Sequence, residues 1–405
     1  MKILRILIIA ALSLTLPLQM SSQNRDIIVT PDWLDSSDIS ILSELDKLKD
    51  LAPLSDLANL ADLDIYKDVN NLLKSENGKQ VIVVQSNKSD KERTPSRTEE
   101  KSFDNASKVN IYQNGGNVTI KESNSRKINV TIQYFDIKTQ KAEANVFMKN
   151  GELNIETSES SREMGCYINY IISLPKGIPV DAKLNYANIN VDKAQAPYNL
   201  RLTYGNASIA NSDKDTPKVT IKYGSLKMDN AKDVSVDAMY SKISIKNGNT
   251  LNLNGKYNSL SLGKINTIHF DKQSMYNKYQ IESINNLTAS LKYDKIEIDE
   301  LVQNIDLKAA YSKINIGKVS SKSKNITING SYSTVSLSFD ESISASVEAN
   351  IKYGDLFVSK KYNTKTISDE SDSFSVSKKV LIGNSSPSPS LSVKVSNSYS
   401  NVNIK

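Results

Sequence analysis

The sequence predicts an all-β protein, a β-solenoid of stacked short coils with a repeat of about 18 residues, preceded by a small α-helical N-terminal segment. Three observations carry this prediction. Tyrosines at 186, 204, 223, 240, 257, 276, 293, 311, 332 and 353 return at intervals of 17 to 21 residues. Around them lies one pattern: residues 234–245, 251–262, 305–316 and 326–337 all read apolar, x, apolar, x, small, x, Tyr, two polar residues, apolar, x, apolar. Third, the alternation changes parity after the tyrosine. Val234, Val236 and Ala238 share their parity with Tyr240, whereas Ile243 and Ile245 take the other. Side chains alternate faces along a strand, so the switch marks a corner, placed at Ser241 and Lys242, that keeps both apolar sets inward. A unit this short cannot bury a hydrophobic face alone, so neighbouring units must stack and share one core.

By the same parity the tyrosine closes the inner row of the longer strand. The residue two before it is often small, as in Ala238, Gly255, Ala309, Gly330 and Ala349, which would leave room for an inward ring. Stacked coils would bring successive rings to about 5 Å, the strand spacing. The expectation is therefore an aromatic ladder inside the core, the alternative being a row of exposed rings that binds sugar. Turn formers follow most of the tyrosines: Gly205, Gly224, Ser241, Asn258, Asn277, Asp294, Ser312, Ser333 and Gly354.

Before the array, residues 1–22 read as a signal peptide: Lys2 and Arg5, an apolar run over 6–18, then Ser21 and Ser22. With no cysteine near that boundary, a lipidated N-terminus is not expected, and no later apolar run reaches the length of a membrane span. Residues 23–84 form the helical segment. Leucines fall at every third position from 42 to 63, a spacing that drifts around a 3.6-residue helix, so Pro53 is read as dividing short helices at roughly 37–51, 53–62 and 65–74. They would cap the first coil or dock on a partner. Residues 85–102, rich in Ser, Lys, Glu and Arg, read as a linker.

Residues 103–180 are a strand region leading into the array. Val109 and Ile111, then Asn114-Gly115-Gly116, then Val118 and Ile120 read as a hairpin; Ile128, Val130 and Ile132 make a strand; Leu153 and Ile155 follow an Asn150-Gly151 turn; and an apolar strand over 167–174 ends at Pro175-Lys176-Gly177. Residues 181–358 are the tyrosine-marked repeats. The next match after Tyr353, Tyr399 with Val402 and Ile404, comes 46 residues later, so 359–405 read as a capping hairpin over the open end plus the last repeat.

The phrases Phe103-Asp104-Asn105-Ala106, Gly116-Asn117-Val118-Thr119-Ile120 and Tyr170-Ile171-Ile172-Ser173-Leu174-Pro175-Lys176-Gly177, with the repeats after them, resemble the bacterial putative adhesin domain of unknown function and the head domain of autotransporter adhesins. The resemblance covers roughly residues 103–405. It implies an exported β-solenoid with no known catalytic site.

The residues themselves offer little chemistry. Cys166, the only cysteine, allows no intrachain disulfide and sits in an apolar run as a core residue. His269, the only histidine, alternates outward between Ile268 and Phe270 and makes no metal site. No nucleophile elbow, phosphate loop or glycine-aspartate calcium repeat is present, and no acidic residue recurs at one outward position of successive units. Catalytic, cofactor-binding and metal residues are therefore expected to be none. The net charge of +6 divides into −5 over residues 35–74, where nine acidic side chains meet four basic ones, and +11 over the remainder. Without arginine clusters among exposed aromatics, nucleic acid is not an expected partner. The expected function is a non-catalytic exported protein of the cell envelope, an adhesin or structural interaction protein whose partner is a protein or glycan there, in the periplasm, on the outer surface or outside the cell. The alternatives are a partner-binding role for the acidic N-terminal helices and, third, a polysaccharide-active enzyme.

Overall fold

Every repeat must place three rows of apolar side chains inward, and the chain does so by breaking its alternation at fixed points. The computed structural model describes residues 94–136, 142–157, 166–212, 217–271, 274–340, 342–383 and 389–405. The expected signal peptide, the helical segment and residues 85–93 of the linker lie outside the described residues. Within them the protein is all-β, with 24 strands in one hydrogen-bonded network.

The N-terminal strands are β1 (Arg97–Phe103), β2 (Val109–Ser123), β3 (Ile128–Phe135), β4 (Ala144–Lys149), β5 (Glu152–Thr157) and β6 (Tyr167–Pro175). The central ones are β7 (Val180–Ala194), β8 (Tyr198–Thr203), β9 (Asn206–Ser212), β10 (Lys218–Lys222), β11 (Ser225–Met239), β12 (Lys242–Lys256), β13 (Ser259–Phe270), β14 (Lys278–Lys292), β15 (Lys295–Ala310), β16 (Lys313–Val319), β17 (Asn325–Ser331), β18 (Thr334–Phe339) and β19 (Ala345–Lys352). The chain ends with β20 (Leu356–Val358), β21 (Thr364–Asp369), β22 (Ser375–Ile382), β23 (Leu391–Ser398) and β24 (Val402–Ile404).

Successive central strands pair in parallel, each residue beside its equivalent one repeat later, as in β11 with β12, β12 with β13 and β14 with β15. Like side chains therefore stack on like. One inward row runs Val234, Leu251, Ile268, Leu287, Ile305 and Ile326; a second runs Ile243, Leu260, Tyr279, Ile296 and Ile314; a third runs Ala231, Gly248, Ile265 and Ile284. All the apolar members of these rows are buried. Along β11 the buried residues Met228, Ala231 and Val234 are three apart, so two outward residues separate each pair and the chain changes face there.

The third change of face is at the tyrosine, and it corrects the inward ladder. Tyr186, 204, 223, 240, 257, 276, 293, 311, 332, 353 and 399 all have left-handed backbones, with φ between 50° and 59°. This rotation turns the ring out of the inner row and the next residue into it. Ser241, Asn258, Asn277, Asp294, Ser312 and Ser333 are buried, so the expected turn formers are inward residues and the corner sits one position earlier than Ser241-Lys242. Among the ladder rings only Tyr240 is buried, at 3% exposure, whereas Tyr186, Tyr353 and Tyr399 are more than half exposed. The small residue two before the tyrosine makes room for something other than a ring. A Cβ on Gly255 would meet the Asn258 amide and the Ala238 carbonyl.

The expected ring spacing holds. Ten stacked pairs join the eleven rings, with centroids 4.7 to 5.2 Å apart and interplanar angles of 1° to 15°. Stacking follows from the strand spacing once all backbones share one conformation.

Both ends differ from expectation. Asn114-Gly115-Gly116 does not turn a hairpin: β2 runs through it and pairs in parallel with β7. Gly115, with φ 80°, lies between residues paired to Asn185 and Ala187, so it makes the first left-handed corner opposite Tyr186 without a ring. The other flank of β2 pairs with β5 and β6, which are covered by antiparallel β4 and β3, and β1 covers β3. β1 thus occupies residues assigned to the linker. Its Phe103 packs on the core, and the full run of hydrogen bonds to β3 offsets its polar composition.

At the far end the last repeat in sequence is not the last in space. β23 pairs with β17 on one side and β19 on the other, so Tyr399 stacks between Tyr332 and Tyr353. β19 then carries the antiparallel pair β22 and β21, so a hairpin does cover the array, over the Tyr353 repeat.

Because left-handed backbone costs an L-residue with a Cβ about 1–2 kcal/mol, Tyr257→Gly should be less destabilising than Tyr257→Ala, by roughly 1 kcal/mol in urea denaturation. Tyr257→Ala itself should cost about 2 kcal/mol, for half of a ring area of about 200 Å² removed from contact. An alanine variant more stable than the glycine one would contradict the corner geometry.

Candidate functional surfaces

The left-handed corner places a polar row directly behind the ring ladder. Within it the backbone amide of one repeat donates to the side chain of the next: Ser241 N to Asn258 Oδ1 at 2.9 Å, Asn258 N to Asn277 Oδ1 at 3.0 Å, Asn277 N to Asp294 Oδ1 at 2.6 Å, Asp294 N to Ser312 Oγ at 3.1 Å and Ser312 N to Ser333 Oγ at 3.1 Å. The same side chains donate back to backbone: Asn258 Nδ2 to the Ala238 carbonyl, Asn277 Nδ2 to Gly255, Ser312 Oγ to Ala310 and Ser333 Oγ to Ser331. A buried amide left unpaired costs about 1–3 kcal/mol, and this row removes that cost at the corner. The row begins where the Gly224 amide donates to Ser241 Oγ at 3.3 Å, and the earlier repeats carry small residues there. Ala187, Gly205 and Gly224 hold the position, and a Cβ on either glycine would strike the carbonyl of the preceding member.

Asp294 is the one carboxyl in the polar row from Ser241 to Ser333. Burial pushes its pKa up to about 7, against the hydrogen bonds from Asn277 and Lys292 that favour the charged form. Farther along the ladder the Tyr204 phenol is likewise pushed up, to about 12, by burial and by its neighbours Tyr186 and Tyr223. Composition put Asp294 among turn formers. Its burial follows only from the left-handed backbone.

The outward faces are hydrated and repetitive. Asparagines form hydrogen-bonded rows across repeats: Asn247 to Asn230 to Asn211, Asn285 to Asn266 to Asn249, and Asn325 to Asn304 to Asn286, all between 2.9 and 3.2 Å. His269 is exposed, as alternation predicts, and Cys166 is buried. Three of the hollows among the described residues open on these faces. One of about 510 Å³ is walled by amides and hydroxyls including Asn117, Asn169, Asn188 and Asn206. A second, of about 560 Å³, brings Glu282, Glu297 and Asp299 near Lys227 and Lys246; Glu297 pairs with Lys295 at 3.0 Å and Glu282 with Lys264 at 3.9 Å.

The third and largest is a shallow groove of about 780 Å³ across the outer face of β14, β15, β17, β23, β19 and β22. Register sets its lining. One row reads Lys292, Ala310, Ser331, with Ser398, Lys352 and Ser375 following on the far strands, and the next reads Ser290, Lys308, Asn329, Ser396, Asn350, Ser377. Small residues between Lys292 and Lys352 make the depression. No sequence signal brought these lysines together, because they lie on three repeats and one neighbour in space is 46 residues out of order in the chain.

Among the described residues no group of three or more His, Cys, Asp or Glu could hold a metal ion, and no helix is long and apolar enough to cross a membrane. No family model and no curated protein matches the chain. Among the solved structures similar to it are a putative cell adhesion protein from Clostridium sporogenes ATCC 15579, at 14% identity and TM-score 0.18, and a putative adhesin from Bacteroides fragilis NCTC 9343, at 10% identity and TM-score 0.29. Each match covers 76% of this chain and 98% of the other.

The raised pKa of Asp294 has a signed consequence. Its folded-state value, about 7, lies above the ordinary 3.8, so its favourable contribution is complete below pH 3.8 and is lost as pH rises through 7. Thermal melts of the intact protein between pH 4 and 8 should show this loss, and Asp294→Asn should flatten it.

Proposed function

We propose that this chain is an exported, non-catalytic β-solenoid of the cell envelope that serves as an adhesin or a structural interaction protein. The parallel pairing of each repeat with the next, together with three inward rows per repeat, supports the solenoid reading, with residues 181–358 as its array and 359–405 as its cap and intercalated last repeat. One observation carries the function: the outward polar rows repeat at the strand spacing along the stack, as the asparagine rows do. A surface of identical weak contacts at fixed intervals suits a polymeric or multivalent partner, since linked contacts add avidity without any single strong site. The buried polar row behind the corners from Ser241 to Ser333 ties successive repeats together in register. The resemblance to adhesins agrees with this reading, and the signal-like N-terminus supplies the route out of the cytoplasm.

Cell fractionation combined with protease treatment of intact cells tests it. The protein is expected outside the cytoplasmic fraction, and purified protein is expected to attach to envelope preparations while leaving polysaccharides uncut. Retention in the cytoplasm, or reproducible release of sugar fragments, would overturn the proposal.

A further inference from the structure

From the largest groove we infer that this chain binds an acidic polysaccharide along the outer face of its C-terminal repeats. The inference deepens the adhesin reading and rests on it. Its basis is charge complementarity in a shaped surface. Lys292, Lys308 and Lys352 are exposed in the groove lining, which contains no Asp or Glu. No ion pair joins any of the three to a carboxylate among the described residues, although other lysines on the same stack, such as Lys295 and Lys318, are paired at 3.0 and 3.1 Å. Apart from Ala310, the remaining outward lining is hydroxyl and amide, the groups that exchange hydrogen bonds with sugar hydroxyls.

The groove also has the right direction. It crosses six strands, so at about 4.8 Å per strand it extends roughly 25 Å along the stack. Lys292 and Lys352 belong to one register row and stand four strand spacings apart, with Ala310, Ser331 and Ser398 between them. An extended chain lying on that row would meet a cation near each end and small side chains beneath its middle. A compact anion could not contact both lysines. A neutral glycan would gain nothing from them. The shared chemistry is an extended, hydroxylated polyanion, whose charge could come from uronate carboxylates or from sulfate esters.

Isothermal titration of the full chain against polygalacturonate, dextran sulfate and neutral dextran tests the inference and separates the two sources of charge. Binding to at least one polyanion but not to dextran is expected, weakening as salt rises because exposed charges are screened. Lys292→Gln, Lys308→Gln and Lys352→Gln combined should weaken it about tenfold, which is about 1.4 kcal/mol or roughly 0.5 kcal/mol for each exposed pair. Ser331→Asp, which puts a carboxylate on the groove floor, should also weaken binding with every lysine in place. Lys227→Gln with Lys246→Gln, on the separate acidic hollow, should change it less than about twofold. Absence of binding to either polyanion, or a triple variant that binds like wild type, would overturn the inference. So would equally tight binding of duplex DNA, lost in the same triple variant, since the lysines would then attract any polyanion. In each of these cases attachment of the wild-type protein to envelope preparations would still stand, so failure of the groove is distinguishable from failure of the adhesin reading.

Discussion

One left-handed residue per repeat is the constraint on which the rest depends. An alternating strand can present its inner row on one face only, and a repeat with three inward rows needs the chain to change face without losing its hydrogen bonds to neighbours. Rotating a single residue to φ near 55° does this at the tyrosine. The cost is about 1–2 kcal/mol at each site for a residue with a Cβ. One compensation accompanies it in every tyrosine repeat, and a second over the row from Ser241 to Ser333. The ring stacks on the rings above and below, and the residue turned inward satisfies the amide of the repeat before it.

The same constraint explains the two ends. At Gly115, opposite Tyr186, the corner carries no ring, and glycine adopts the conformation freely. Antiparallel strands then cover both flanks of the terminal repeats. At the far end the Tyr399 repeat is threaded between two repeats that precede it in sequence, so the chain must leave a position open after Tyr332 and fill it later. The Tyr353 repeat meanwhile receives β22 on its outer side, and Phe374 tilts against its ring at 6.0 Å. Exposed parallel edges invite pairing with other chains, and the coverings shield those of β5, β6 and β19.

Function on such a scaffold belongs to the outer faces, because the inner rows are committed to packing. Parallel register turns single outward residues into rows, and rows into surfaces whose chemistry is set by composition: amides in one place, mixed charge in another, unpaired lysines over small residues in the groove. Asp294 is a separate matter. It is a titratable group within a structural row, so it links stability of the stack to pH without contributing to any outer surface.

Much of this was legible in the sequence. The tyrosine interval gave the repeat, the parity switch gave the corner, and composition excluded a disulfide-held or histidine-based site. The strands after Asn150-Gly151 and over 167–175 follow directly from turn residues and apolar runs. What the sequence could not supply is the backbone conformation of Tyr240 and its equivalents. Parity assigns a side chain to a face only while the strand stays extended, and one left-handed residue reverses every assignment at that point, moving the rings out and Ser241, Asn258 and Asp294 in. Asn114-Gly115-Gly116 misled for a related reason: glycine at positive φ serves a hairpin turn and a corner within one strand equally well. Spatial order was decided by tertiary structure alone, since Tyr399 matches the pattern wherever it is threaded, and only pairing with β17 and β19 fixes its place. The groove lysines depend on that threading. The sequence by itself determined what each repeat must bury; only the folded stack decided which outward residues of different repeats would meet.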